Sequence, residues 1–484
     1  MGSRSAEEAF LYEQLEQRVR AMIEAGVLRP GERAPSLRRL SKQERVSLAT
    51  AMQAYMALER KGYLESRPRS GFYVRTRPAT AGVVPRPRKP RAMPQKVKLG
   101  DMVGTIFALN NQPGIVSLGI ANPSPELLPV KGLVRATTQV ANRHRLASLE
   151  YSLHLGAEEL RRQIALRVAE LGCAVSPDEV LVTTGATEAL AVALHAVARP
   201  GDVIAVESPA YFLVLQLIER LGMFALEVQT DAAAGMRLEA LEEALESVDV
   251  KAVIAVPNFH NPLGSLMPEE NKRRLVELLA ERGVALIEDD IYGDLAFEQR
   301  RPSIAKRYDR AGNVLTCSSF SKTLAPGYRV GWLLPGSYMD AARRCKQTMS
   351  SATASLPQLA IAEFLHNGNY DRFLRRVRSK YAEQVARMRA AVLEHFPEGT
   401  RVTNPKGGFV LWVELPRRVD GRALFQEALA HSVSFTPGVL FSPAGKFGNF
   451  IRLCAGLPWS EHIERAVERL GVLAGRAAGR GAYH

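Results

Sequence analysis

The sequence predicts two folds on one chain. A small helical module closed by a β-hairpin comes first. A larger α/β body follows, with a mainly parallel central sheet and a smaller C-terminal α+β part. Three observations predict this. Apolar residues recur at three-to-four spacing through most of the first sixty residues. Beyond a basic, proline-rich break, short β-branched runs alternate with helical stretches. Positive charge gathers ahead of the body: residues 1–98 hold 21 Lys and Arg against 9 Asp and Glu, or +12 of the total +14.

The bulk properties narrow the class. A chain of 484 residues with 46% hydrophobic and 24% charged residues has material for two to four domains and is not largely disordered. No apolar run approaches the ~18–20 residues of a membrane span. The N-terminal MGSRSAEEAF lacks the apolar stretch of a secretory signal. Cys173, Cys317, Cys345 and Cys454 are widely spaced, with no CxxC pair. That pattern predicts no metal site and a cytoplasmic location. No GxGxxG follows a strand, so a dinucleotide fold is not expected.

In the module, Leu11, Leu15, Val19 and Ile23 form one helical stripe that stops near Gly26. Ser36 caps a second helix, with Leu37 and Leu40 facing inward. A third helix starts at Ser47. Leu48, Met52 and Tyr55 share one face, while Thr50, Gln53, Ala54 and Ala57 share the other. YLESRPRSGFYV then reads as strand, basic turn and strand. Residues 75–98 carry five prolines and eight basic residues without an acid, the composition of an extended tether. In the body, EVLVTTG, DVIAVES, FALEVQT, KAVIAVP, VALIEDD, NVLTCSSFS and RVGWLL are strands. A long amphipathic helix around residues 370–395 leads to GGFVLWVEL and NFIRLCAG, two strands of the smaller part.

Three helices and a hairpin with a basic tip make a winged helix-turn-helix. Its third helix would enter the major groove, offering Ser47, Thr50 and Gln53 to base edges. Arg38 and Arg39 would reach phosphates, and the wing, with Arg67 and Arg69, would flank the minor groove. The basic bias favours double-stranded DNA over a protein partner. The segment from LYEQLEQRVRAMIEAGVLRPGERAPSLRRLS to LESRPRSGFYV resembles the GntR-family DNA-binding domain along its whole length. The resemblance implies DNA contacts at Arg38 and Ser47. It also shows departures: Leu48 and Met52 stand where the family often has arginine, and Arg69 replaces a frequent wing glycine.

The chemistry of the body centres on SSFSKTLAPGYRVGW. Lys322 follows a strand, with Ser319 and Ser321 before it and Arg329 after it. A lysine that forms an imine with a phosphorylated aldehyde needs such hydroxyls and an arginine for the phosphate. In VALIEDDIYGDL, Asp289 or Asp290 can pair with a protonated pyridine nitrogen. Tyr292 and Asn261 can donate to a ring phenolate oxygen, and Tyr211 can stack on the ring. Gly185, Ala186 and Thr187 open a helix whose N–H groups suit a phosphate. Together these residues describe a site for pyridoxal 5'-phosphate.

The motifs SLGIANP, YSLHLGAEELR, PNFHNPLG, EDDIYGDL, SFSKTLAPGYRVGW, GGFVLWVEL and NFIRLCAG resemble, in order, those of the fold-type-I (class I/II) aminotransferases across residues 99–478. That resemblance implies Lys322 as the Schiff-base lysine and Asp289 as the pyridine partner. It implies a phosphate site of Ser319, Ser321 and Arg329, completed by Tyr151 of a second subunit in a homodimer. It further implies substrate contacts at Arg452, which would take the α-carboxylate, and at Gly119 and Asn261. A GntR-type module over residues 8–76, a tether over 77–98 and an aminotransferase-like body over 99–478 resemble the MocR subfamily of bacterial regulators. The expected function is a transcriptional regulator that senses an amine or amino acid through an external aldimine. An active aminotransferase carrying a DNA module is the alternative.

Overall fold

A computed structural model describes residues 3–24, 27–28, 31–44, 46–60, 63–67, 70–74, 84–90, 93–100, 102–109, 112–153, 155–298 and 300–480. The chain divides into two compact units, Met1–Val83 with Ala386–Glu394 and Val84–Val385 with His395–His484.

The first unit holds α1 (Ser3–Glu24), α2 (Leu37–Glu44), α3 (Leu48–Arg60), β1 (Leu64–Arg67) and β2 (Gly71–Val74). Leu15, Val19 and Ile23 of α1 are buried, as their four-residue spacing requires. Ser36 caps α2 by accepting the Arg39 N–H at 3.3 Å, and Ser47 caps α3 by accepting that of Thr50 at 3.0 Å. The hairpin pairs antiparallel, Leu64 opposite Val74. Tyr55 binds the unit together. It is fully buried, donates to the Pro35 carbonyl at 2.8 Å, and meets the Phe72 ring edge-on at 5.1 Å.

Two expectations for this region are corrected. Thr50 does not face outward: it is 4% exposed, and its hydroxyl lies 2.8 Å from that of Ser47. Ala54 and Ala57 are buried beside it, while Leu48 and Met52 are exposed. The helix is turned so that Ala51, Ala54, Tyr55 and Leu58 face the core of the unit, and Leu48 and Met52 do not. Small side chains let helices approach closely, and Tyr55 fixes the rotation. Ser47 and Gln53 are exposed, as are Arg38 and Arg39. Arg69 and the side chain of Arg67 lie outside the described residues.

The second correction concerns the tether. Residues 84–90 and 93–98 lie on the body. Arg88 donates to the Lys446 carbonyl at 2.9 Å and to Asn449 Oδ1 at 2.7 Å, with its guanidinium over the Phe450 ring. Gln95 exchanges backbone hydrogen bonds with Ala225, and Val97 is buried in the core. Proline does not prevent such docking, because an extended strand needs no internal hydrogen bonds.

The body has an eight-stranded sheet. Its order is Leu181–Thr183, Gly331–Leu334, Val314–Ser319, Ala285–Asp289, Val250–Ala255, Val203–Ser208, Phe224–Asp231 and Gly235–Met236. The five strands from Val314–Ser319 to Phe224–Asp231 run parallel. Alternate residues feed two cores. Ile204, Val206 and Ile287 pack with helices Ala186–Val197 and Phe212–Arg220. Ala205 and Leu286 pack with helices Leu238–Ser247 and Glu269–Glu281.

Helix Asn369–His395 leads to a four-stranded antiparallel sheet. There Trp412 of Val410–Glu414 pairs with Arg452 of Phe450–Cys454. Residues 116–118 return to this part: Leu118 donates to the Ser434 carbonyl and accepts from the Cys454 N–H. This long-range return places Gly119 beside Arg452.

Candidate functional site

The candidate residues converge outside the carboxyl ends of the parallel strands, where ligands bind in open α/β sheets. Asp289 ends one strand and Ser319 its neighbour. Lys322, Tyr292 and Asn261 lie on the turns that follow.

Lys322 is half-buried. Its Nζ donates to the Ala121 carbonyl at 2.6 Å and lies 3.4 Å from Asn122 Oδ1. Burial holds its amine down to about 8, with Arg452 and Arg329 acting in the same direction; Cys454 and Asp289 oppose them. Asp289 is 5% exposed, and burial pushes its carboxyl up to about 7 against the Ile291 N–H, which donates to it at 3.2 Å. Asp290 is engaged elsewhere. It accepts from Arg301 and, at 2.8 Å, from the Asn258 amide. Of the two adjacent carboxylates, Asp289 is therefore the one left for a ligand.

Gly185 has φ +83° and precedes helix Ala186–Val197. A side chain there would collide with the Arg329 guanidinium. Arg329 is itself left-handed, at φ +53°. It reaches Ser321 Oγ at 3.4 Å and the Thr184 carbonyl at 3.3 Å, and the Ser321 N–H donates to Ser319 Oγ at 3.3 Å. Serines, arginine and the first N–H groups of the helix, at Ala186 and Thr187, thus form one cationic cradle.

Arg452 is 1% exposed. Its Nη1 donates to Asn261 Oδ1 at 3.1 Å, and its Nη2 donates to Thr436 Oγ1 at 3.1 Å and to the Gly119 carbonyl. The rings of Phe441 and Phe212 lie 5.4 Å and 5.8 Å from it. Its Nε–H is buried with no acceptor. Tyr211 begins helix Phe212–Arg220, and burial pushes its phenol up to about 12. Tyr292 is buried edge-on to Phe409 at 5.5 Å, and its phenol is also raised by burial.

Tyr151 is not drawn into this cluster. It is 78% exposed, in a stretch where Leu146 and Leu149 are exposed too.

Sequence reasoning missed several participants. Ala121 and Asn122 hold Lys322 and stand within the motif SLGIANP; that motif was the available signal. Thr436, which also donates to the Gly119 carbonyl at 2.6 Å, had none. The buried pair of His260 Nε2 and Glu207 Oε2, 3.2 Å apart, was likewise unmarked.

Comparisons with known proteins agree with this geometry. The family "Aminotransferase class I and II" matches residues 114–470, and "Bacterial regulatory proteins, gntR family" matches residues 11–74. The HTH-type transcriptional regulator YjiR of Escherichia coli is 38% identical over 466 residues, covering 96% of this chain and 99% of that protein. Among solved structures, the kynurenine aminotransferase of Pyrococcus horikoshii has TM-score 0.74 and 26% identity. It covers 79% of this chain and 95% of its own. LysN, the α-aminoadipate aminotransferase of Thermus thermophilus, has TM-score 0.71 and 31% identity, covering 79% and 100%. Both enzymes cover 79% of the chain, whereas YjiR covers 96% of it, and with both family models matched the chain belongs to the MocR-type regulators of the GntR family, in which a winged helix-turn-helix is joined to a class I and II aminotransferase domain.

Proposed function

We propose that this transcriptional regulator binds pyridoxal phosphate in its aminotransferase-like domain and uses it to sense a primary amine or amino acid. The observation that carries the proposal is the convergence, at the ends of neighbouring strands, of Lys322, an amine held down to about 8, and the buried carboxyl of Asp289, which accepts the Ile291 N–H but no cation among the described residues. The residues present fit the cofactor. Arg329, Ser319, Ser321 and Gly185 form a cradle for its phosphate, and a side chain at Gly185 would close it. Tyr211, Tyr292 and Asn261 border the space for its ring. When bound, the cofactor supplies an aldehyde carbon that condenses with amines and a ring that withdraws electrons.

The chain's own residues do the rest. Asp289 holds a proton at the pyridine nitrogen. Arg452, through its free Nε–H, binds a carboxylate and orients an incoming amino acid. Lys322 would be the residue that holds the cofactor, and its amine would compete there with that of the incoming amino acid. A change of this kind alters DNA binding only if the ligand binds the DNA-competent and incompetent states unequally. In the module, Arg38, Ser47 and Gln53 are the DNA contacts we propose, with Arg67 and Arg69 on the wing. The units we propose are residues 8–76 for DNA and 99–478 for the cofactor, working as a homodimer in the cytoplasm.

A second reading, an active aminotransferase with a DNA module, is favoured by one observation: the Lys322 amine is poised near neutrality, as a proton-transfer base would be. Two assays on one preparation separate the readings. One is a DNA shift with the upstream region of its own gene; the other is amino-group transfer with a panel of amino acids. A ligand-dependent shift with no turnover supports the sensor. Turnover without any shift supports the enzyme. Lys322→Ala should lose the visible band of the bound cofactor; a band that survives, and is still fixed by borohydride, overturns the lysine assignment.

A further inference from the structure

The body holds a cavity of about 1080 Å³ between helix Glu158–Glu170, the loop after strand Ala285–Asp289 and helix Asn369–His395. Of the residues assigned to the cofactor, only Ser319 lines it. Seven arginine or lysine side chains face five carboxylates there. The pairing leaves an excess of cations. Asp294 holds Arg301 at 2.5 Å and Arg167 at 3.6 Å, and Asp371 holds Arg167 at 2.9 Å. Glu269 accepts from Lys272, Ser303 and Tyr308. Glu170 and Glu298 also line it, as do Arg300, Arg307, Arg375 and Lys406. These four cations are exposed and form no ion pair among the described residues.

The same groups are wired to the cofactor site. Arg301 also holds Asp290, the neighbour of Asp289. The Tyr370 hydroxyl donates to Asp294 Oδ2 at 2.7 Å and meets the hydroxyl of Thr323, the neighbour of Lys322, at 2.9 Å. The Arg167 guanidinium lies over the Tyr370 ring at 4.4 Å.

We propose that this cavity binds a small organic polyanion, a molecule with two or more carboxylate or phosphate charges, and that its occupancy is read at Lys322 and Asp289. The cavity has the size of a small-molecule site, and guanidinium forks match carboxylate and phosphate oxygens. The four unpaired cations supply the first contacts. An anion that draws Arg167 or Arg301 from Asp294 changes the hydrogen bonds that end at Thr323 and Asp290. By linkage, ligands in the cofactor site change anion affinity by the same factor.

The test uses the full chain carrying one equivalent of pyridoxal phosphate, so that the phosphate cradle is filled. Pyrophosphate and citrate are titrated calorimetrically at ionic strength held constant with KCl. The expected result is saturable binding of at least one of them, and the tighter of the two names the class. The double variant Arg300→Ala/Arg375→Ala should weaken it at least tenfold. Binding should also shift the visible spectrum of the cofactor, and Tyr370→Phe should remove the shift while keeping the binding. No saturable heat, an equal effect from KCl alone, or full affinity in the double variant overturns the site. The last outcome would place the anion elsewhere, on the basic module. Binding without a spectral shift overturns the coupling. The calorimetric result does not depend on the sensor reading, so the two can fail separately.

Discussion

Arg452 donates through Nη1 to Asn261 Oδ1 at 3.1 Å, while its buried Nε–H has no acceptor. An orphaned buried donor costs on the order of 1–3 kcal/mol, more when charged, so its acceptor is expected to arrive with a ligand. Arg452→Lys keeps the charge and loses the fork. It should weaken binding of amino acids about 10- to 100-fold, the range of a charged hydrogen bond. Amines without a carboxylate should bind as before. Titration of both classes by cofactor absorbance checks this, and equal losses for both would show that Arg452 does not read the carboxylate.

Asp289 should make the cofactor-free protein sensitive to pH. Its folded pKa, about 7, lies above the ordinary carboxylate value, so the fold binds this proton more tightly than the unfolded chain does. Its contribution is full at about pH 4, falls as pH rises through 7, and is flat beyond. Lys322, held down to about 8, acts in the other window: stability rises from about pH 8 to about 10. Cofactor-free Asp289→Asn should therefore be more stable than wild type at pH 7.5, by roughly 1–3 kcal/mol, and equal to it near pH 4. The same variant should bind the cofactor more weakly. Denaturant melts at the two pH values decide it; parallel curves would mean that the carboxyl is not strained by burial.

The exposed face of α3 carries Leu48 and Met52, 52% and 41% exposed, flanked by Ser47 and Gln53. Apolar side chains on a recognition helix meet the thymine methyl in the major groove. Replacing thymine by deoxyuridine in the operator should cost about fourfold per contacted base, from ~0.8 kcal/mol per buried carbon. Met52→Ala should abolish part of that sensitivity. Arg38→Ala should instead lower affinity on every sequence and reduce the salt slope by about 1. An operator indifferent to deoxyuridine would mean that this face does not enter the groove.

Tyr151 stands 78% exposed beside Leu146 and Leu149, at 75% and 87%. Exposed apolar side chains so close in sequence are what a second subunit would cover. If Tyr151 completes the phosphate site of a second subunit, Lys322→Ala and Tyr151→Phe chains should complement on mixing. One site of each heterodimer would then carry both residues intact. Cofactor affinity above that of either variant alone is the expected result. A monomer by sedimentation, with cofactor fully bound, would rule out the shared site.

The parts of this protein that are legible in its residues are those set by short-range patterns. Four-residue spacing marks α1, β-branched runs mark the parallel strands, and Ser36 and Ser47 announce their helices, because each depends on neighbours within one or two turns. The setting of Lys322 is legible for the same reason: hydroxyls and an arginine stand at fixed offsets after a strand end, whereas the choice of Asp289 over Asp290 came from a family resemblance. What stayed hidden depends on contacts between distant residues. The outward face of α3 follows from the packing of Tyr55 against Pro35 and Phe72. Arg88 turned a seeming tether into part of the body by meeting Asn449, 361 positions away. Asp290 and Asp289 are chemically alike and adjacent, and it is Arg301 and Asn258, folded back against Asp290, that mark it as the structural carboxylate. Composition and periodicity report which groups a segment will bury, but a hydrogen bond or ion pair has a direction and a partner. Those come into being only when the chain has closed on itself.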